Sequence, residues 1–410
     1  MNGILSGMRV IEASAFVAAP LGGMTLAQLG ADVIRIDHLK GGLDYRRWPV
    51  TDDNVSLFWC GLNKAKRSVA LDISQEEGKE LAMAIICAEG QDAGLLLTNF
   101  PPRGWLSYEK LSAKRSDIIQ LTIQGDHNGG SAVDYTVNPS IGLPLITGAE
   151  AGADVVNHVL PAWDLITGQM AAVGLLAAER RRRATGNGQH VKLALEDVAL
   201  AVMSHLGFLA EAQLGHSRER VGNYLFGAFG RDFVCADGER VMVVGLTLKQ
   251  WLSLCAATGL TGDMDALAQR LNRNFAAEGD RYRTRREIAT LIEPWIAARM
   301  LKEVAAIFDE HDVCWSRYQT VRQALNMPSC SLANPMFKTV HQPGVGDILV
   351  PGTPLDFSAA PRLGAVEAPR LGEHTEAILS ELLGLSSSQF GGLCDRGIVL
   401  RPSDVIAPGS

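Results

Sequence analysis

The sequence predicts an α/β protein in which a large domain with a parallel sheet is accompanied by a second, smaller α+β domain. Strand-like and helix-like segments alternate through the first half of the chain, as is typical of a parallel sheet covered by helices. Near residue 215 the pattern changes to a hairpin signal followed by successive helices. The 410 residues, 47% apolar and 20% charged, suffice for two or three domains with a large core.

The first half opens with a predicted β-α-β unit. Pro20 can occupy the first turn of a helix that Gly30 terminates before a second strand. Ser74 and Glu77 have the spacing of a capping box, which predicts the start of the next covering helix. The segments predicted here are strands at 8–13, 31–37, 68–73, 94–100 and 117–124, and helices at 20–29 and from 74 through 87.

A longer helix is predicted from about residue 165 to 183, because small and apolar side chains share one side and a Thr-Gly-Asn-Gly turn ends it. Asp237-Gly238 is a hairpin turn signal in the second domain. The segment 326–370 is rich in Pro and Gly, so we expect it to run over the surface. The remaining predictions are a strand at 190–195, a helix at 196–214, two strands within 233–244, helices across 247–311 and a helix at 374–383.

Composition and charge exclude several classes of protein. The 38 basic and 45 acidic residues give a formal charge of −7, which disfavours a general binder of nucleic acid. No apolar run approaches the roughly 20 residues that span a bilayer, and the N-terminal segment lacks the basic start of a secretory signal. The seven cysteines form no C-x-x-C pair, which favours reduced thiols over disulfides or zinc. We therefore expect a cytoplasmic protein with no membrane or nucleic-acid partner and no metal.

The common cofactor and hydrolase motifs are missing from the sequence. There is no G-x-G-x-x-G after the first strand, no phosphate-binding G-x-x-x-x-G-K-[ST] and no H-E-x-x-H. The nucleophile elbow G-x-S-x-G is missing too, because Gly129-Gly130-Ser131-Ala132 continues with Val133. Nicotinamide, ATP-dependent, zinc-protease and serine-hydrolase chemistry are therefore disfavoured.

Two polar segments near strand ends could bind phosphate groups. Lys64, Lys66 and Arg67 precede one predicted strand. Asn99 and Arg103 follow another, at the sheet edge where α/β proteins bind ligands. Cations at strand ends are also common on ordinary soluble surfaces, so either segment alone could be solvated charge.

Six sequence blocks, taken in order, provide a stronger signal than any single motif. They are GMRVI from Gly7, LGADVIRID ending at Asp37, NKAKRSVALD from Asn63, TNFPP from Thr98, RATGNGQ from Arg183 and APRLGEHT ending at Thr375. No block is specific by itself, but their shared order and spacing leave little room for coincidence. Together they resemble the class III CoA-transferases, the formyl-CoA and carnitine-CoA transferase family, from residue 3 to about residue 400.

The resemblance implies an architecture for the whole chain. It implies a Rossmann-like, CoA-binding large domain built from residues 1–214 and 326–400, a small α+β domain at 215–325, and a tail at 401–410. It also implies that two ring-like subunits interlock in a homodimer. Coenzyme A then enters only as part of a thioester substrate, and no further cofactor is implied.

Asp164 matches the family's nucleophilic aspartate, which opens the helix leading to the Thr-Gly-x-Gly-Gln turn. Without the resemblance, an aspartate before an apolar helix is more simply a helix N-cap. A carboxylate of ordinary pKa, ~3.9, is ionised at neutral pH and needs no general base to attack a thioester. We therefore expect Asp164 to carry first an acyl group and then CoA in each cycle.

Four further stretches narrow the expected reaction within the family. They are SAFVAAPLGG from Ser14, GLDYRRWP from Gly42, VVNHVLPAWD ending at Asp164 and GNYLFGAFG from Gly222. They resemble the corresponding stretches of family members that act on mesaconyl-CoA. This resemblance implies that CoA is transferred from the C1 to the C4 carboxyl group of mesaconate within one substrate molecule. These carboxyl groups lie trans across a double bond, so a nucleophile on the protein must relay the CoA. The same similarity implies a role in carbon fixation by the 3-hydroxypropionate cycle or in glyoxylate assimilation.

The resemblance also implies ligand-binding residues, with the loop that begins at Phe16 close to the nucleophile. Arg46 and Arg47 could bind the free carboxylate of a dicarboxylate, although a solvated turn fits them equally. His158 could donate to a substrate carboxylate or be an ordinary loop residue. The candidates for CoA are Phe16, Val17, Ala18, His38, Leu71, Asn99, Phe100 and Arg103.

Three other functions stay open from the sequence. An α-methylacyl-CoA racemase shares the family's fold, but where its histidine base would precede an aspartate this chain has Val133-Asp134-Tyr135. An intermolecular CoA transferase acting on another dicarboxylate is excluded by no motif. A catalytically silent CoA-binding protein is disfavoured by the intact Asp164.

Overall fold

The computed structural model describes residues 3–152 and 154–401. Contacts divide the chain into two units. The first comprises the segments up to Ile141, Val159–Gly207 and from Met327 onward; the second comprises Gly142–His158 and Phe208–Asn326. The predicted α/β class is confirmed, whereas the domain boundaries predicted at 215, 326 and 401 stay a prediction.

The secondary structure alternates between strands and helices through the first unit. The strands are β1 (Arg9–Ala13), β2 (Asp32–Asp37), β3 (Arg67–Ala70), β4 (Leu95–Thr98), β5 (Ile119–Gln124), β6 (Gln189–Ala194), β7 (Phe229–Val234), β8 (Arg240–Gly245), β9 (Cys314–Arg317), β10 (Phe337–Gln342) and β11 (Gly346–Pro351). The helices are α1 (Ala18–Gln28), α2 (Leu57–Leu62), α3 (Glu76–Ile86), α4 (Tyr108–Lys114), α5 (Asp134–Ser140), α6 (Leu143–Ile146), α7 (Ala162–Thr185), α8 (Leu195–His205), α9 (Phe208–Gln213), α10 (Leu248–Thr258), α11 (Thr261–Arg270), α12 (Glu278–Arg283), α13 (Arg285–Ala297), α14 (Leu301–Glu310), α15 (Val321–Ala324), α16 (Thr375–Leu383) and α17 (Ser387–Asp395).

The first unit is built on a six-stranded sheet in the order β3-β2-β1-β4-β5-β6, and each neighbouring pair is parallel. This is the strand order of a Rossmann-like sheet, as the resemblance implied. In register, Val10 on the central strand β1 lies opposite Val33 on one side and Leu95 on the other. Helices cover both faces of the sheet, so its strands are apolar along most of their length.

Alternate side chains of each strand enter two separate cores. Ile11 and Ile34 pack with α3, α16 and α17 on one face of the sheet. Val10 and Val33 pack with α1 and α7 on the other. This follows from the two-residue period of a strand, which sends neighbouring side chains to opposite faces.

The edge strand β3 is covered by the Gly-Glu-His-Thr block near the C-terminus. The Thr375 Oγ1 accepts the Ala70 N–H at 3.1 Å, and the His374 N–H donates to the Ser68 carbonyl oxygen at 3.0 Å. The Gly372 N–H donates to Ser68 Oγ at 2.9 Å. The block therefore satisfies backbone groups that an open sheet edge would leave unpaired.

The second unit has its own antiparallel sheet in the order β7-β8-β9 and its own apolar core. The predicted Asp237-Gly238 turn joins β7 to β8, with a φ of 81° at Gly238. Trp251 of α10, Ile288 of α13 and Phe308 of α14 pack in this core. The helices predicted across 247–311 are present as α10 to α14.

Two local predictions are wrong. The Ser74 hydroxyl bonds the Asp72 carboxylate instead of capping a helix, and α3 begins at Glu76 without a side-chain cap. The predicted helix at 196–214 is split into α8 and α9 at Gly207, whose φ is 80°. The segment 326–370 lies largely at the surface, as expected, and it also contains the antiparallel hairpin β10-β11, which the Pro and Gly content did not predict. Across residues 3–152 and 154–401, no helix is both long and apolar enough to cross a membrane.

Candidate active site

The candidate site lies at the carboxyl ends of the parallel strands in the first unit. The chain proceeds in opposite directions along the sheet after β1 and after β4, and such a reversal opens a ligand crevice between the two loops. The predicted CoA-binding residues follow four strand ends: Phe16, Val17 and Ala18 after β1, His38 after β2, Leu71 after β3, and Asn99, Phe100 and Arg103 after β4.

The loop after β1 is held by side chains from two other loops. The Asn99 Oδ1 accepts the Ala15 N–H at 3.0 Å, and its Nδ2 donates to the Ala15 carbonyl oxygen at 2.7 Å. Asp44 Oδ2 accepts the Phe16 N–H at 3.1 Å. Phe16 thereby adopts a φ of 68°, a left-handed conformation that costs a non-glycine residue roughly 1–2 kcal/mol. The surrounding hydrogen bonds offset this strain.

A fully buried cluster of charged side chains supports the same loop. Arg35 on β2 pairs with Asp37 at 2.7 Å and with Glu12 of β1 at 3.3 Å. It also pairs with Asp44 at 3.1 Å and donates to the Ser14 carbonyl oxygen at 3.2 Å. Each of these ionic groups depends on its partners, because removing one leaves an uncompensated buried charge.

Electrostatics within the cluster follow from its burial. Lys66 pairs with Glu12 at 2.8 Å, but burial lowers the pKa of Lys66 to about 8 against the opposing charge of Glu12. For the acid Asp37 burial has the opposite effect and raises the pKa, although the Arg35 charge opposes that change. Burial disfavours the Arg35 charge as well, but the surrounding acids outweigh it and raise the pKa of Arg35. The guanidinium is therefore the fixed charge around which the cluster is built.

An arginine forms the exposed part of the site together with Phe16, and it also lies against the half-buried Phe58. The Arg47 guanidinium carbon lies 5.6 Å from the centre of the Phe16 ring and 5.2 Å from that of Phe58, which is cation–π geometry. The Phe16 ring is 39% exposed, and both Arg46 and Arg47 are exposed. This cation and the Phe16 ring are thus accessible at the carboxyl edge of the sheet.

Close packing of α1 against α7 brings the starts of these helices to the same edge. A Cβ on Gly168 of α7 would lie 2.7 Å from the Ala18 carbonyl oxygen. A Cβ on Gly22 of α1 would lie 3.0 Å from the Gly168 carbonyl oxygen. Only glycine permits this approach, which places the Phe16 loop before α1 and the first turn of α7 near each other.

Asp164 is half-buried in the first turn of α7. Burial and, to a smaller extent, the charge of Asp134 raise the pKa of Asp164 to about 7, although the charge of Arg47 opposes this change. The expectation of an ordinary, fully ionised carboxylate is therefore wrong, because the side chain has lost much of its contact with water. At pH 7 about half of these carboxyl groups are ionised in the free protein.

The helix-cap interpretation of Asp164 is also wrong. Helix α7 begins at Ala162 after Pro161, whose side chain makes no cap. The first turn is capped instead by Asp134, whose Oδ2 accepts the N–H of Trp163 at 2.7 Å and that of Asp164 at 3.3 Å. The Asp164 side chain is thus not engaged in capping its own helix.

The other predicted residues differ in how accessible they are. The side chains of Val17, Ala18 and Leu71 are buried, with Leu71 at 0% exposed, so they shape the site from inside. His38 and Arg103 are exposed, and Phe100 is half-buried. His158 belongs to the second unit.

Sequence reasoning missed several residues of the site. Glu12 and Arg35 interrupt apolar strands of a parallel sheet, and such charges in buried strands are a usable signal of a polar cluster. Asp44 carries no comparable signal. The sequence drew attention to Asp134 only through the comparison with racemases. In those enzymes a histidine base precedes the matching aspartate, whereas this chain has Val133, which cannot transfer a proton. No cluster of His, Cys, Asp or Glu suited to a metal ion occurs in the described part of the chain.

The fold and the site define a class of CoA-dependent acyl-transfer proteins. The sequence profile of CoA-transferase family III matches residues 5–375, and the chain belongs to this family. A crystal structure of a CaiB/BaiF family protein from Brucella suis matches 93% of this chain and 100% of its own, with a TM-score of 0.76 and 25% identity. A hypothetical protein from Mycobacterium tuberculosis has the same fold, with a TM-score of 0.73 and 21% identity over 92% of this chain and 99% of its own.

Among named relatives, the 2-methylfumaryl-CoA isomerase of Chloroflexus aurantiacus is 61% identical over 98% of this chain and 99% of its own. The succinyl-CoA–D-citramalate CoA-transferase of the same organism is 28% identical over 96% of this chain and 98% of its own. The formyl-CoA:oxalate CoA-transferase of Rhodopseudomonas palustris is 27% identical over 99% of this chain and 100% of its own. The resemblance to class III CoA-transferases is confirmed.

Proposed function

We propose that this chain converts 2-methylfumaryl-CoA, with CoA on C1 of mesaconate, into 3-methylfumaryl-CoA, with CoA on C4. The observation that carries the proposal is the 61% identity, over nearly the whole chain, to an enzyme named 2-methylfumaryl-CoA isomerase. The two-substrate transferases named above are only 27–28% identical. Asp164, at the carboxyl edge of the sheet, supplies the acceptor that such a transfer needs.

The first half of the reaction moves CoA from substrate to protein. The Asp164 carboxylate attacks the C1 thioester carbonyl, the C–S bond breaks, and CoA leaves as a thiolate from a mixed anhydride. The thiolate then attacks the aspartyl carbonyl of that anhydride. Mesaconate leaves as a carboxylate, and CoA stays on Asp164 as a thioester.

The second half repeats these steps on the other carboxyl group. The C4 carboxylate attacks the aspartyl thioester and expels the thiolate, which then attacks the C4 carbonyl and restores the Asp164 carboxylate. Every step exchanges one activated acyl group for another, so no ATP and no net proton are required. Mesaconate must stay enclosed and reorient between the two halves, which excludes water and competing acids.

Arg47 is the best supported of the residues we assign to the substrate's free carboxylate. Its guanidinium is exposed beside the Phe16 ring, and its positive charge acts on Asp164. A planar guanidinium suits a carboxylate because it can donate two parallel hydrogen bonds. Arg46 is a further candidate for the same carboxylate, and a donor role of His158 toward substrate stays a prediction.

CoA itself is assigned to the loops at the strand ends. The exposed side chains of Phe16, His38 and Arg103 are the members of the set best placed to contact it directly. Buried members would act through the backbone. The full proposed set is Phe16, Val17, Ala18, His38, Leu71, Asn99, Phe100 and Arg103. We further propose an interlocked homodimer, a cytoplasmic location and no cofactor beyond the CoA of the substrate.

Isotope labelling tests whether transfer stays within one molecule. The protein is incubated with mesaconyl-C1-CoA and labelled free mesaconate, and the C4 thioester is isolated. Unlabelled product is expected, because the freed acid reacts before it can exchange. Label in the C4 thioester at the rate of turnover would show intermolecular transfer instead.

Substitution of the nucleophile tests the covalent route. Asp164→Asn and Asp164→Ala should each lower kcat by roughly 10³-fold or more while CoA-ester binding persists. Asp263→Asn, at an exposed first-turn aspartate of α11, is the matched control and should keep full activity. Mass spectrometry after hydroxylamine quenching should find wild-type Asp164 modified during turnover. A near-native rate in Asp164→Asn contradicts the proposal.

A further inference from the structure

We propose that Asp134 is a positioning residue of this reaction: its buried carboxylate holds the first turn of α7 and drives Asp164 toward its acylated forms. The proposal rests on the proposed role of Asp164. It assigns a function to a carboxylate that neither attacks the substrate nor transfers a proton.

The hydrogen bonds of α5 fix the backbone that carries Asp164. Asp134 Oδ2 accepts from the backbone N–H of both Trp163 and Asp164, at 2.7 and 3.3 Å. One turn later on the same helix, Asn138 Oδ1 accepts the Trp163 indole N–H at 3.3 Å. Because Pro161 supplies no side-chain cap, these tertiary contacts set the position of the first turn.

A carboxylate is a common helix cap, but this one is buried more completely than capping requires. Asp134 is 1% exposed, and its second oxygen, Oδ1, has no hydrogen-bond partner within residues 3–152 and 154–401. A neutral Asn or Ser could accept the same N–H groups without burying a formal charge. Capping explains the oxygen that accepts the two N–H groups, but it does not explain the second, buried oxygen.

That charge distinguishes the states of Asp164 during turnover. Asp134 repels the ionised Asp164 carboxylate, and burial together with this repulsion raises the pKa of Asp164 to about 7. When Asp164 becomes an anhydride or a thioester, its negative charge is gone and the repulsion vanishes. The repulsion between the two carboxylates thus destabilises free Asp164 relative to both covalent intermediates. It also makes the Asp164 carboxylate more basic.

Arg47 is the charge that opposes Asp134 at this site. Of the elements packed against α7, α1, β4 and β5 carry no charged side chain, and α5 carries Asp134 and the titratable Tyr135, which does not act on the pKa of Asp164. The charged or titratable side chains on the remaining packed elements, α8 and β6, are Glu196, Asp197, His205, His190 and Lys192, and none of them acts on the pKa of Asp164.

Two substitutions separate positioning from charge. Asp134→Asn keeps an oxygen that can accept the two N–H groups but removes the charge, whereas Asp134→Ala removes both. The readout is the pH dependence of kcat/KM, together with mass spectrometry of Asp164 during turnover. For Asp134→Asn we expect the acid limb to move to lower pH by about half a unit or more and the high-pH rate to fall at least threefold.

A matched control is available eight residues earlier. Asp126 also accepts two backbone N–H groups, from Asn128 and Gly130 at 2.8 Å, but it is not buried and lies in a turn. Asp126→Asn should leave the acid limb and the rate unchanged. Urea denaturation of every variant shows whether it is folded, and Asp134→Asn keeps the test possible if Asp134→Ala does not fold.

The outcomes distinguish this inference from the proposed function. Wild-type protein acylated on Asp164, with a shifted acid limb in Asp134→Asn, supports both. Acylation on Asp164 with an unshifted limb overturns the role of Asp134 alone and reduces it to a helix cap. Turnover without any modification of Asp164 overturns the proposed function and this inference with it.

Discussion

Phe16 combines an unfavourable backbone conformation with an exposed ring at the site. Its φ of 68° is imposed by Asp44 and by the Asn99 bridge to Ala15, and its ring lies against Arg47. Left-handed conformations of non-glycine residues concentrate where function needs a fixed loop. The strained backbone of Phe16 thus coincides with the placement of its ring against the Arg47 guanidinium.

Substitution at Phe16 separates backbone strain from the role of the ring. Phe16→Gly should be more stable than Phe16→Ala by about 1 kcal/mol, because only glycine tolerates this φ, while both variants should raise KM by losing the ring. Urea denaturation and steady-state kinetics measure the two effects. Asp312→Gly, at a φ of 51° in the second unit, is the control and should not destabilise the protein or change KM. Equal stability of the two Phe16 variants would contradict the strain.

At the scale of elements, the α1–α7 contact decides where the Phe16 loop and the first turn of α7 meet. Both helices connect parallel strands and therefore begin at the carboxyl edge of the sheet, but their separation depends on glycine at the crossing. The Asn99 and Asp44 contacts then set the loop, and Asp134 sets the first turn of α7. Within the first unit, the crossing of α1 with α7 and the cap from Asp134 of α5 thus define the position of Asp164.

Gly168→Ala tests this crossing. The added Cβ would lie 2.7 Å from a backbone oxygen of Ala18, so the helices must move apart. We expect a loss of roughly 1–3 kcal/mol in stability and a fall in kcat larger than any change in KM. Gly391→Ala on α17, where a Cβ meets nothing within 4 Å, should be neutral or slightly stabilising. Unchanged kcat in Gly168→Ala would show that the crossing does not position Asp164.

At the scale of the whole molecule, the half-buried Asp164 carboxyl group reduces the free energy of unfolding as the pH rises. An unfolded Asp164, with its ordinary pKa of 3.8, is ionised from pH 5 to 8, whereas the folded group, with a pKa raised to about 7, binds a proton below neutrality. The folded state therefore holds more protons than the unfolded state in this window, and the contribution of Asp164 to stability falls as the pH rises. Above pH 7 the protein holds a poorly solvated charge, which lowers its stability.

Asp164→Asn should remove this pH-dependent cost. Relative to wild type, the variant should gain about 2 kcal/mol between pH 5 and pH 8, because an amide does not titrate. Urea denaturation at both pH values measures the difference. Asp263→Asn, with an exposed carboxylate, should follow the wild type at both values. A constant difference between Asp164→Asn and wild type would mean that the carboxyl group is not perturbed.

Much of the fold could be predicted because its signals are local. The strand periodicity around Ile11 and Ile34, the helix stop at Gly30 and the Asp237-Gly238 turn each depend on a few neighbouring residues. The β10-β11 hairpin and the break at Gly207 were not predictable in this way, since glycine and proline mark several kinds of turn. Which turn forms depends on the packing of the flanking segments.

The sequence by itself determined the parallel α/β order and the family, because these reside in the order of residues along the chain, and it predicted Asp164 as the matching carboxylate. Only the tertiary structure decided that Asp134, 30 residues before Asp164, caps its helix, and that Asp44 and Asn99 hold the Phe16 loop. It also decided that the Asp164 carboxyl group is only partly ionised at neutral pH. Desolvation and contacts between distant segments arise from packing, and they leave no local trace in the sequence.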